Sequence, residues 1–570
     1  KTTTMWMSEL PPFVPFFLAA LLALVTRGPL RATLMLAAPL LGGLHLWFDV
    51  PDGTLLSVSL LEFDLVLMRA DRLSLLFGYI FHIAAFILVI YTLHLRDTMQ
   101  HVAGLIYAGS ALGAVFAGDL ITLFIFWELL VISSVFLVWA RRNARASRAG
   151  IRYLIFQVSS GLLLLAGTLV HYQHTGSLAF DFIGIENPGG WLILLAFGIK
   201  CAFPFLHNWL TDAYPEATPT GAAVLSVFTT KVAVYTLARG FPGTDLLIYI
   251  GAVMTCFPIF YAVIENDLRR VLSYSLINQL GFMVCGIGIG TALALNGAVA
   301  HAFSHILYKA LLFMSMGAVL YRAGNINASD LGGLSKSMPK TALLGIVGAA
   351  SISALPLFSG FISKSLVMSA LLDEGHDIVW LMLLFASAGV LHHAGIKVPF
   401  FAFFAHDSGI RTAEAPRNML LAMTLAAILC ILIGCQPQYL YALLPWEVDY
   451  WPYDTTHVLA QLQLLFFAAL AFVWMEIKGY APPERHAVNI DAEWLYRKLL
   501  PVSAGFVREG MQQLARSLSD AVKAPLRSMR EALVRSSLAE YHLASHWPTG
   551  SMVLWIAVLL GGFLVLDAIH

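Results

Sequence analysis

Long apolar stretches recur along almost the whole chain, separated by short polar turns. Apolar windows of about 20 residues follow one another from Leu10 to Ile569, and a helix of that length crosses the hydrocarbon core of a bilayer. The pattern therefore predicts an all-α polytopic membrane protein with about 14–16 transmembrane helices. The first window lacks a basic leading region and a cleavage site, so we expect a first span and not a removable signal. A weak alternation over 54–67 predicts a short external hairpin.

Two apolar windows carry a proline and a lysine. One has Lys200 followed by Pro204, and the other has Pro356 and Gly360 followed by Lys364. Proline removes a backbone donor, so a helix is expected to bend or open there. Open backbone at membrane depth is tolerated only where it is buried in protein or lines a wet cavity. Broken helices in corresponding halves of a chain are typical of an inverted repeat with ion sites near the midplane.

The same pattern divides the chain into segments. We predict two inverted five-helix repeats with broken helices, flanked by further spans. The segments are N-terminal transmembrane helices over 1–100, a first, proton-conducting repeat over 101–240, a second repeat over 241–405, C-terminal transmembrane helices over 406–480, an amphipathic cytoplasmic-face helix or linker over 481–548, and a last transmembrane helix over 549–570.

Four charged side chains stand in the middle of apolar windows, namely Glu128, Lys200, Lys231 and Lys364. A charge at the centre of a transmembrane helix costs about 2.5–3.5 kcal/mol on insertion scales, so we expect these groups to face one another and water inside the bundle. Burial disfavours a charged lysine and a nearby carboxylate restores it, so a small movement of that carboxylate can drive proton transfer. The alternative is a static structural ion pair between Glu128 and Lys200.

A file of titratable residues lies on one helical face. His301, His305 and Lys309 follow one another at intervals of four residues, and histidine exchanges protons near neutral pH. We interpret the file as a proton relay, against the alternative of core histidines bonded to backbone carbonyls. Secondary or exit positions are, more weakly, His207, His392, His393 and Lys397, although Lys397 could instead be a snorkelling residue.

Composition and charge exclude several classes of function. Only 12% of the residues are charged, against about 25% in soluble domains. The formal net charge of +0 makes nucleic acid an implausible partner. The five cysteines show no paired spacing, and two histidines alone make a poor metal site, so we expect neither a metal nor a cofactor. No nucleotide loop or nucleophile elbow is visible, so we expect an ion-transport subunit and not an enzyme in its own right.

Basic residues collect in alternate turns, at 27–31, 141–152, 269–270 and 322–340, which we call the basic turns. The positive-inside rule puts these turns in the cytoplasm and both termini outside, in a bacterial inner membrane. From Glu484 to Ser545 the chain is polar, with apolar residues at helical spacing over 506–534. This predicts an amphipathic helix on the cytoplasmic face, with a soluble linker as the alternative.

The sequence resembles the antiporter-like membrane subunits shared by respiratory complex I, membrane-bound hydrogenases and Mrp-type cation/proton antiporters. The likeness covers most of 100–370. Its motifs are Phe126-Trp-Glu128, Lys200 through Pro204-Phe-Leu-His207 to Ala213, Pro219-Thr220, Thr230-Lys231-Val232, Glu265-Asn-Asp267-Leu-Arg-Arg270 through Gly281, His301 through Phe313, and Leu355-Pro-Leu-Phe-Ser-Gly-Phe-Ile-Ser-Lys364.

The resemblance implies a proton route through the two repeats. Glu128 would modulate Lys200, and Lys231 would connect the two halves. The other implied positions are His301, His305 and Lys309 in the central axis, Lys364 on the exit side, and Asp267, Arg269 and Arg270 in a structural cytoplasmic turn.

Within the family, the Thr-Lys-Val setting of Lys231 and the chain length resemble the D subunit of Mrp antiporters. The expected function is proton translocation in a sodium/proton antiporter, with other membrane subunits, protons, sodium ions and lipid as partners. The surface helix and last span instead resemble the distal subunit of complex I. The alternatives are a pumping subunit of a complex I-like or hydrogenase complex, the membrane subunit of an inorganic-carbon uptake complex, and a non-pumping scaffold.

Overall fold

The structure is a computed structural model that describes residues 10–569, except 61, 448, 481, 488, 490 and 539–548. It divides into two compact units, Lys1–Asp491 and Ala492–His570. The elements of the first part of the chain are α1 (Val14–Val25), α2 (Gly28–Phe48), β1 (Gly53–Leu60), β2 (Phe63–Ala70), α3 (Arg72–Thr92), α4 (Thr98–Phe116), α5 (Leu120–Trp139), α6 (Ala144–Thr175), α7 (Gly190–Lys200), α8 (Asn208–Ala213), α9 (Pro219–Leu225) and α10 (Thr229–Gly240).

The remaining helices of the first unit include two irregular stretches. They are α11 (Asp245–Ile264), α12 (Leu268–Ile289), α13 (Ala292–Ala323), two single 3₁₀ turns (Ala328–Asp330 and Leu334–Lys336), α14 (Pro339–Ile352), α15 (Ser359–Asp373), α16 (Asp377–Val390), π-helical turns at Leu391–Lys397 and Phe400–Phe404, α17 (Arg417–Cys435), α18 (Gln438–Tyr441) and α19 (Thr455–Lys478). The second unit holds a π-helical turn (Leu495–Leu499), α20 (Leu500–Leu538) and α21 (Thr549–Ile569).

The prediction of an all-α polytopic membrane protein is confirmed. Within the described residues, 12 helices are long and apolar enough to cross a membrane, with the Pro219–Gly240 and Asp377–Phe404 stretches each counted once. Four further apolar helices are shorter, at Val14–Val25, Gly190–Lys200, Pro339–Ile352 and Gly550–Leu564. Two of the short helices end at the proline-containing stretches, so an interrupted span accounts for part of the difference from the expected count.

The hairpin expected near 54–67 is present as antiparallel strands β1 and β2. It packs on the turn before α5, where the Asp119 carboxylate accepts the Val66 backbone N–H at 2.7 Å. Arg69 at the end of β2 donates to the carboxylate of Asp181 at 2.9 Å. The hairpin is therefore held to the first predicted repeat by polar contacts.

The most completely buried helices are α9 with α10, α12 and α13. In α13 every side chain from Ala294 to Leu320 is buried, including two histidines and a lysine. By contrast α2 and α19 expose most of their apolar side chains, as helices in contact with lipid or with another subunit do. The titratable file of α13 thus runs along the axis of the bundle.

Two capped turns repeat within the first unit. Asp119 caps α5 by accepting backbone N–H groups and pairs across an isolated bridge with Ala179. Asp267 caps α12 in the same way and pairs with Asn327. Five crossings separate the two aspartates along the chain, so the turns lie at opposite ends of the bundle. An odd number of crossings per repeat is what inverts a repeated unit.

The second unit contains the amphipathic segment expected from the sequence. α20 is 39 residues long and carries Pro525 inside it, and α21 follows as a 21-residue apolar helix. The expected stretch 539–548 lies outside the described residues. The attachment of α20 to a cytoplasmic membrane face stays a prediction.

Candidate functional site

The first helix break lies between α7 and α8. α7 ends at Lys200 and α8 begins at Asn208. In the gap, Ala202 and Phe205 take positive φ values of 62° and 67°, on either side of Pro204. Left-handed backbone at non-glycine residues costs of order 1–3 kcal/mol each, so the surrounding packing must maintain the gap. The break leaves backbone polar groups of the chain next to a lysine.

The second break lies between α14 and α15 and has the same local pattern. α14 ends at Ile352 and α15 begins at Ser359. Ala354 and Leu357 take φ values of 57° and 74°, again on either side of a proline, Pro356. The spacing of the two left-handed residues and the proline is identical in the two gaps. The two predicted repeats therefore share a backbone feature as well as an order of helices.

Gly360 permits the close return of the chain after the second break. A Cβ atom at Gly360 would lie 1.8 Å from the backbone oxygen of Ser351, so only glycine fits there without a backbone shift. One turn later, Lys364 donates from Nζ to the Ile352 carbonyl at 3.0 Å, and its ammonium lies 4.9 Å from the centre of the Phe282 ring. The lysine thereby binds the end of the helix that the break has opened.

Lys200 is fully buried at the first break. Its Nζ donates to the backbone carbonyl of Trp127 at 2.6 Å and lies 4.3 Å from the centre of the Trp127 ring. The ring is fixed in turn, because its Nε1 donates to Ser160 at 3.0 Å and Ser160 donates to the Ala196 carbonyl at 2.7 Å. Both a carbonyl dipole and an aromatic face thus stabilise a cation at this position.

Glu128 follows Trp127 on α5, and its carboxylate packs against α6. A Cβ atom at Gly161 would lie 1.5 Å from Glu128 Oε1, so the absence of a side chain at Gly161 makes room for the carboxylate. Oε1 is buried and has no hydrogen-bond partner among the described residues. Lys200 is the cation that acts on Glu128 electrostatically. The described ion pairs do not include these two residues, and the choice between a proton-exchanging pair and a static structural pair stays a prediction.

Lys231 lies at a third interruption, which the sequence did not predict. α9 ends at Leu225 and α10 begins at Thr229, and Lys231 Nζ donates back to the Ser226 carbonyl at 2.5 Å. Tyr107 stabilises the interruption, since its hydroxyl lies 2.6 Å from Thr229 Oγ1 and accepts the Thr229 backbone N–H at 3.0 Å. A fully buried lysine is again bonded to a carbonyl at the end of a helix.

The histidine file of α13 begins with a bonded member. His301 Nδ1 lies 2.9 Å from Ser363 Oγ, and its Nε2 lies 3.2 Å from Gln279 Oε1. The Tyr308 hydroxyl donates to the same Gln279 oxygen at 3.1 Å. Ser363 precedes Lys364, so the file meets the second break through this serine. The partners of His301 are side chains and not backbone carbonyls, unlike those of an ordinary core histidine.

His305 and Lys309 continue the file along α13. Both ring nitrogens of His305 and Nζ of Lys309 are buried, and none has a hydrogen-bond partner in the described part of the chain. The rings of His301 and His305 have centroids 6.2 Å apart. Lys231 and Lys309 both act electrostatically on His305. Buried polar atoms of this kind are ordinarily hydrogen-bonded to ordered water, so the file can be bridged by water.

His392 and His393 lie on the first π-helical turn. The ring nitrogens of both residues are buried. His392 packs edge-on against Phe472, with ring centroids 4.9 Å apart, whereas the charge of Lys309 acts on His393. His393 therefore extends the axis from α13, and His392 faces an apolar ring.

Lys397 ends the same π-helical turn and is buried. Its Nζ donates to the carbonyls of Val263 at 2.6 Å and Glu265 at 2.8 Å, and it lies 3.1 Å from a carboxylate oxygen of Glu484. These contacts lie at the end of α11. A snorkelling lysine would extend towards water, so that alternative does not describe Lys397.

The turn before α12 is held from two sides. The Asp267 side chain accepts the backbone N–H groups of Arg269 and Arg270. The Arg269 side chain is fully buried and donates to the carbonyl of Ala217 at 3.0 Å and to that of Pro215. A buried guanidinium that binds several carbonyls fixes the loop after α8 to α12.

Several residues of the site were missed in the sequence. Gly161 and the carbonyl of Trp127 carry no pattern of their own, since each matters only through a neighbour in space. Asp491 was also missed: it contacts the predicted His207, one residue before α8, at 3.0 Å, and no sequence pattern pairs residues so far apart. The signal available for Asp491 was that it is an acidic residue at the end of a polar stretch. No group of three or more potential metal-ligating side chains occurs among the described residues.

The arrangement defines a class of protein: a polytopic membrane subunit with paired helix breaks and buried cations along its midline. A family model described as "NADH:quinone oxidoreductase/Mrp antiporter, TM" matches residues 117–391. The chain is 30% identical over 357 residues to the D subunit of the Na(+)/H(+) antiporter of Alkalihalophilus pseudofirmus, covering 58% of this chain and 72% of that protein. The chain belongs to this family of antiporter-type membrane subunits.

Two solved structures share the fold. A chain of the Mrp complex from Dietzia sp. matches with a TM-score of 0.76 and 23% identity, over 98% of this chain and 66% of that one. A chain of the membrane-bound sulfane sulfur reductase, an archaeal respiratory membrane complex, matches with a TM-score of 0.70 and 22% identity, over 98% of this chain and all of that one. Relatives of this chain are thus subunits of multi-component membrane assemblies.

Proposed function

We propose that the chain is the proton-translocating subunit of a multisubunit cation/proton antiporter of the Mrp type, which exchanges protons for sodium ions. The observation that supports this most is the position of the buried lysines. Lys200, Lys231 and Lys364 each donate to a backbone carbonyl, and the carbonyls bound by the last two lie where a helix is interrupted. Structural lysines of a soluble core are rarely fully buried without a carboxylate partner.

A lysine in this setting is suited to gain and lose a proton. The bound carbonyl stabilises the ammonium, whereas burial opposes its charge. A small movement of the opened backbone therefore changes the equilibrium between charged and neutral lysine. Glu128 adds a carboxylate close to Lys200, so the charge of one group depends on the charge of the other. The first break thereby provides a unit in which loss of a proton and movement of a helix end are coupled.

The route through the second repeat follows from the same contacts. Lys231 and Lys309 both act electrostatically on His305, and His301 is hydrogen-bonded to Ser363, the residue before Lys364. A proton arriving at Lys231 can therefore pass along α13 by way of imidazoles and bridging water. Lys364, at the second break, is the proposed exit-side group.

The choice of sodium ion and of parent complex in this proposal is inferred from similarity to a named relative. The relative from Alkalihalophilus pseudofirmus is named as the D subunit of a Na(+)/H(+) antiporter. We propose the same exchange here, in a bacterial inner membrane, with the basic turns on the cytoplasmic side and other membrane subunits as partners.

The test is sodium/proton exchange in vesicles that carry the whole native complex. Wild type is compared with Lys200→Ala and Glu128→Ala, and Lys336→Ala is the matched control because that lysine is exposed and pairs with Asp407 at the surface. Both axis variants should abolish sodium-dependent proton movement while the complex still assembles, and the control should not. Indifference to both axis substitutions would refute the proposal and favour the non-pumping scaffold.

A second candidate is a pumping subunit of a respiratory, complex I-like or hydrogenase complex, or of an inorganic-carbon uptake complex. The specific observation in its favour is that the match covers the whole of a chain of an archaeal respiratory membrane complex, whereas it covers 66% of the chain of the Mrp complex. It predicts that vesicles exchange no sodium, yet that Lys200 and Glu128 remain necessary for redox-linked pumping or carbon uptake.

A further inference from the structure

The polar segment that follows α19, residues 482–491 apart from 488 and 490, lies against the ends of helices from both predicted repeats. It reaches the same end of the bundle as the Asp267 turn and the loop after α8. The described contacts are Glu484 to Lys397 at 3.1 Å, His486 to Asp330 at 3.0 Å, Asn489 to Glu265 at 3.0 Å, and Asp491 to His207 at 3.0 Å. The sequence predicted a helix or linker here, but four side chains of the segment are engaged with the first unit.

Asp491 makes the contact that concerns proton movement. Its Oδ2 atom lies 3.0 Å from His207 Nε2 and accepts the Tyr274 hydroxyl at 2.7 Å. The side chains of His207 and Asp491 are only 2% and 4% exposed. His207 immediately precedes α8, on the far side of the first break from Lys200. A carboxylate, an imidazole and a phenol thus lie next to one another at the first helix break, just before α8.

We propose that Asp491, His207 and Tyr274 form a proton-transfer site at the end of the first broken helix, with the carboxylate supplied by the 482–491 segment. The inference rests on the proposed function and deepens it. It adds a residue from outside both predicted repeats to the proton path.

The proton step balances within the three groups. Neutral His207 first takes up a proton at Nδ1, which has no partner among the described residues, and becomes an imidazolium. Its Nε2–H then gives a proton to Asp491 Oδ2, which becomes a carboxylic acid as the ring returns to neutral with its proton on Nδ1. The Tyr274 hydroxyl donates to the ionised carboxylate and stabilises it when the proton has left.

Two aromatic rings pack on this site. The Phe257 ring packs on His207 with centroids 4.7 Å apart, and the Tyr261 ring stacks on Tyr274 at 5.3 Å. Arg270 and Glu265 are the other charged groups that act on Tyr274.

A structural tether is the competing explanation for the Asp491 contacts. The segment, however, is attached independently at three other points, through Glu484, His486 and Asn489. Asparagine has nearly the shape of aspartate and retains an oxygen acceptor, but it cannot take up a proton at neutral pH. Replacing Asp491 by asparagine therefore separates proton transfer from attachment.

The experiment measures the rate of proton movement against pH in vesicles carrying the whole complex. Asp491→Asn should slow proton movement at least tenfold and flatten its pH profile, whereas Asp491→Glu should restore most of the rate. The control is His486→Gln, since the His486 side chain is 65% exposed and contacts only the neighbouring residues Ser329 and Asp330 among the described hydrogen bonds. That control should behave as wild type.

Wild-type rates in Asp491→Asn across the pH range would overturn the proposal, as would an equal loss in His486→Gln. If Asp491→Asn does not assemble, Tyr274→Phe decides, because it removes only the stabilising hydroxyl. That variant should shift the pH profile, and an unchanged profile would refute the site. If Lys200→Ala loses transport while Asp491→Asn keeps wild-type rates, this inference is refuted and the proposed function is still supported.

Discussion

Gly161 offers a way to move the Glu128 carboxylate without changing its charge. The substitution Gly161→Ala places a methyl group 1.5 Å from Glu128 Oε1 and 2.6 Å from Glu128 Cδ. Ordinary contact requires about 3.4 Å between such atoms, so the oxygen must retreat by about 2 Å. The obstructing atom is the tip of a flexible side chain, so the helix backbones can stay where they are.

The magnitude follows from the separation of charges. For a carboxylate and an ammonium about 5 Å apart at an effective dielectric constant of about 20, a retreat of about 2 Å weakens the attraction by about 1 kcal/mol. That corresponds to about a fivefold change in the protonation equilibrium that links Glu128 to Lys200. The fold is hardly affected, because alanine favours a helix interior over glycine by about 0.5–1 kcal/mol, while a displaced rotamer costs about the same.

The assay is sodium/proton exchange in vesicles that carry the complex. Gly161→Ala should lower the rate of proton movement about fivefold while the amount of assembled complex is unchanged. Gly104→Ala is the matched control, because Gly104 is also inside a helix and a Cβ atom there meets nothing within 4 Å. Exchange within twofold of wild type in Gly161→Ala would refute the reasoning that the position of Glu128 sets the behaviour of Lys200.

Two further predictions concern stability at the ends of the helices. Arg269→Leu leaves buried carbonyls without a donor and should destabilise the solubilised protein by about 3–5 kcal/mol, measured by thermal unfolding. The exposed Arg148→Ala is its control, and equal losses would contradict the role of the buried guanidinium. In the loop after α13, hydrogen bonds from side chains, first from Asn325, lower the pKa of Asp330 from 3.8 to about 2. Its contribution to stability should be complete above about pH 4 and lost as the pH falls towards 2. Hydrogen exchange of that loop, corrected for intrinsic rates, should show this dependence in wild type, and its persistence in Asp330→Asn would contradict the assignment.

The general architecture could be predicted because membrane spans carry a strong signal. Apolar windows are long, and charges inside them are costly enough to be conspicuous. Glu128, Lys200, Lys231 and Lys364 were found in this way, and the structure places all three lysines against backbone carbonyls. The prolines at 204 and 356 marked the two opened helices because proline has no backbone donor.

Interruptions without a proline could not be predicted. The chain opens between Leu225 and Thr229 because Lys231 and Tyr107 bind the released backbone groups. Those contacts come from tertiary structure, and the local sequence is compatible with a continuous helix. The π-helical turns at Leu391–Lys397 and Phe400–Phe404 were not predicted either, although Pro399 lies between them.

The pairing of distant residues was also beyond the sequence. Asp491 follows a stretch that is polar enough to be a linker, and nothing local indicates that it reaches His207. Gly161 is one of many glycines in apolar helices, and its importance depends on the direction of the Glu128 side chain. Both facts concern which surfaces meet, which hydrophobic periodicity does not determine.

The hydrogen bonds from lysine ammonium groups to backbone carbonyls make the protonation of the lysines observable by infrared spectroscopy. A carbonyl that accepts from a cation vibrates at lower frequency than one that accepts from a neutral amine, because the stronger hydrogen bond lengthens its C=O bond. Trp127, Ser226 and Ile352 each present such a carbonyl to a buried lysine. Isotope labels at these three carbonyls would give separate infrared bands. The order in which the bands move after a change of pH would then give the order in which the lysines lose their protons.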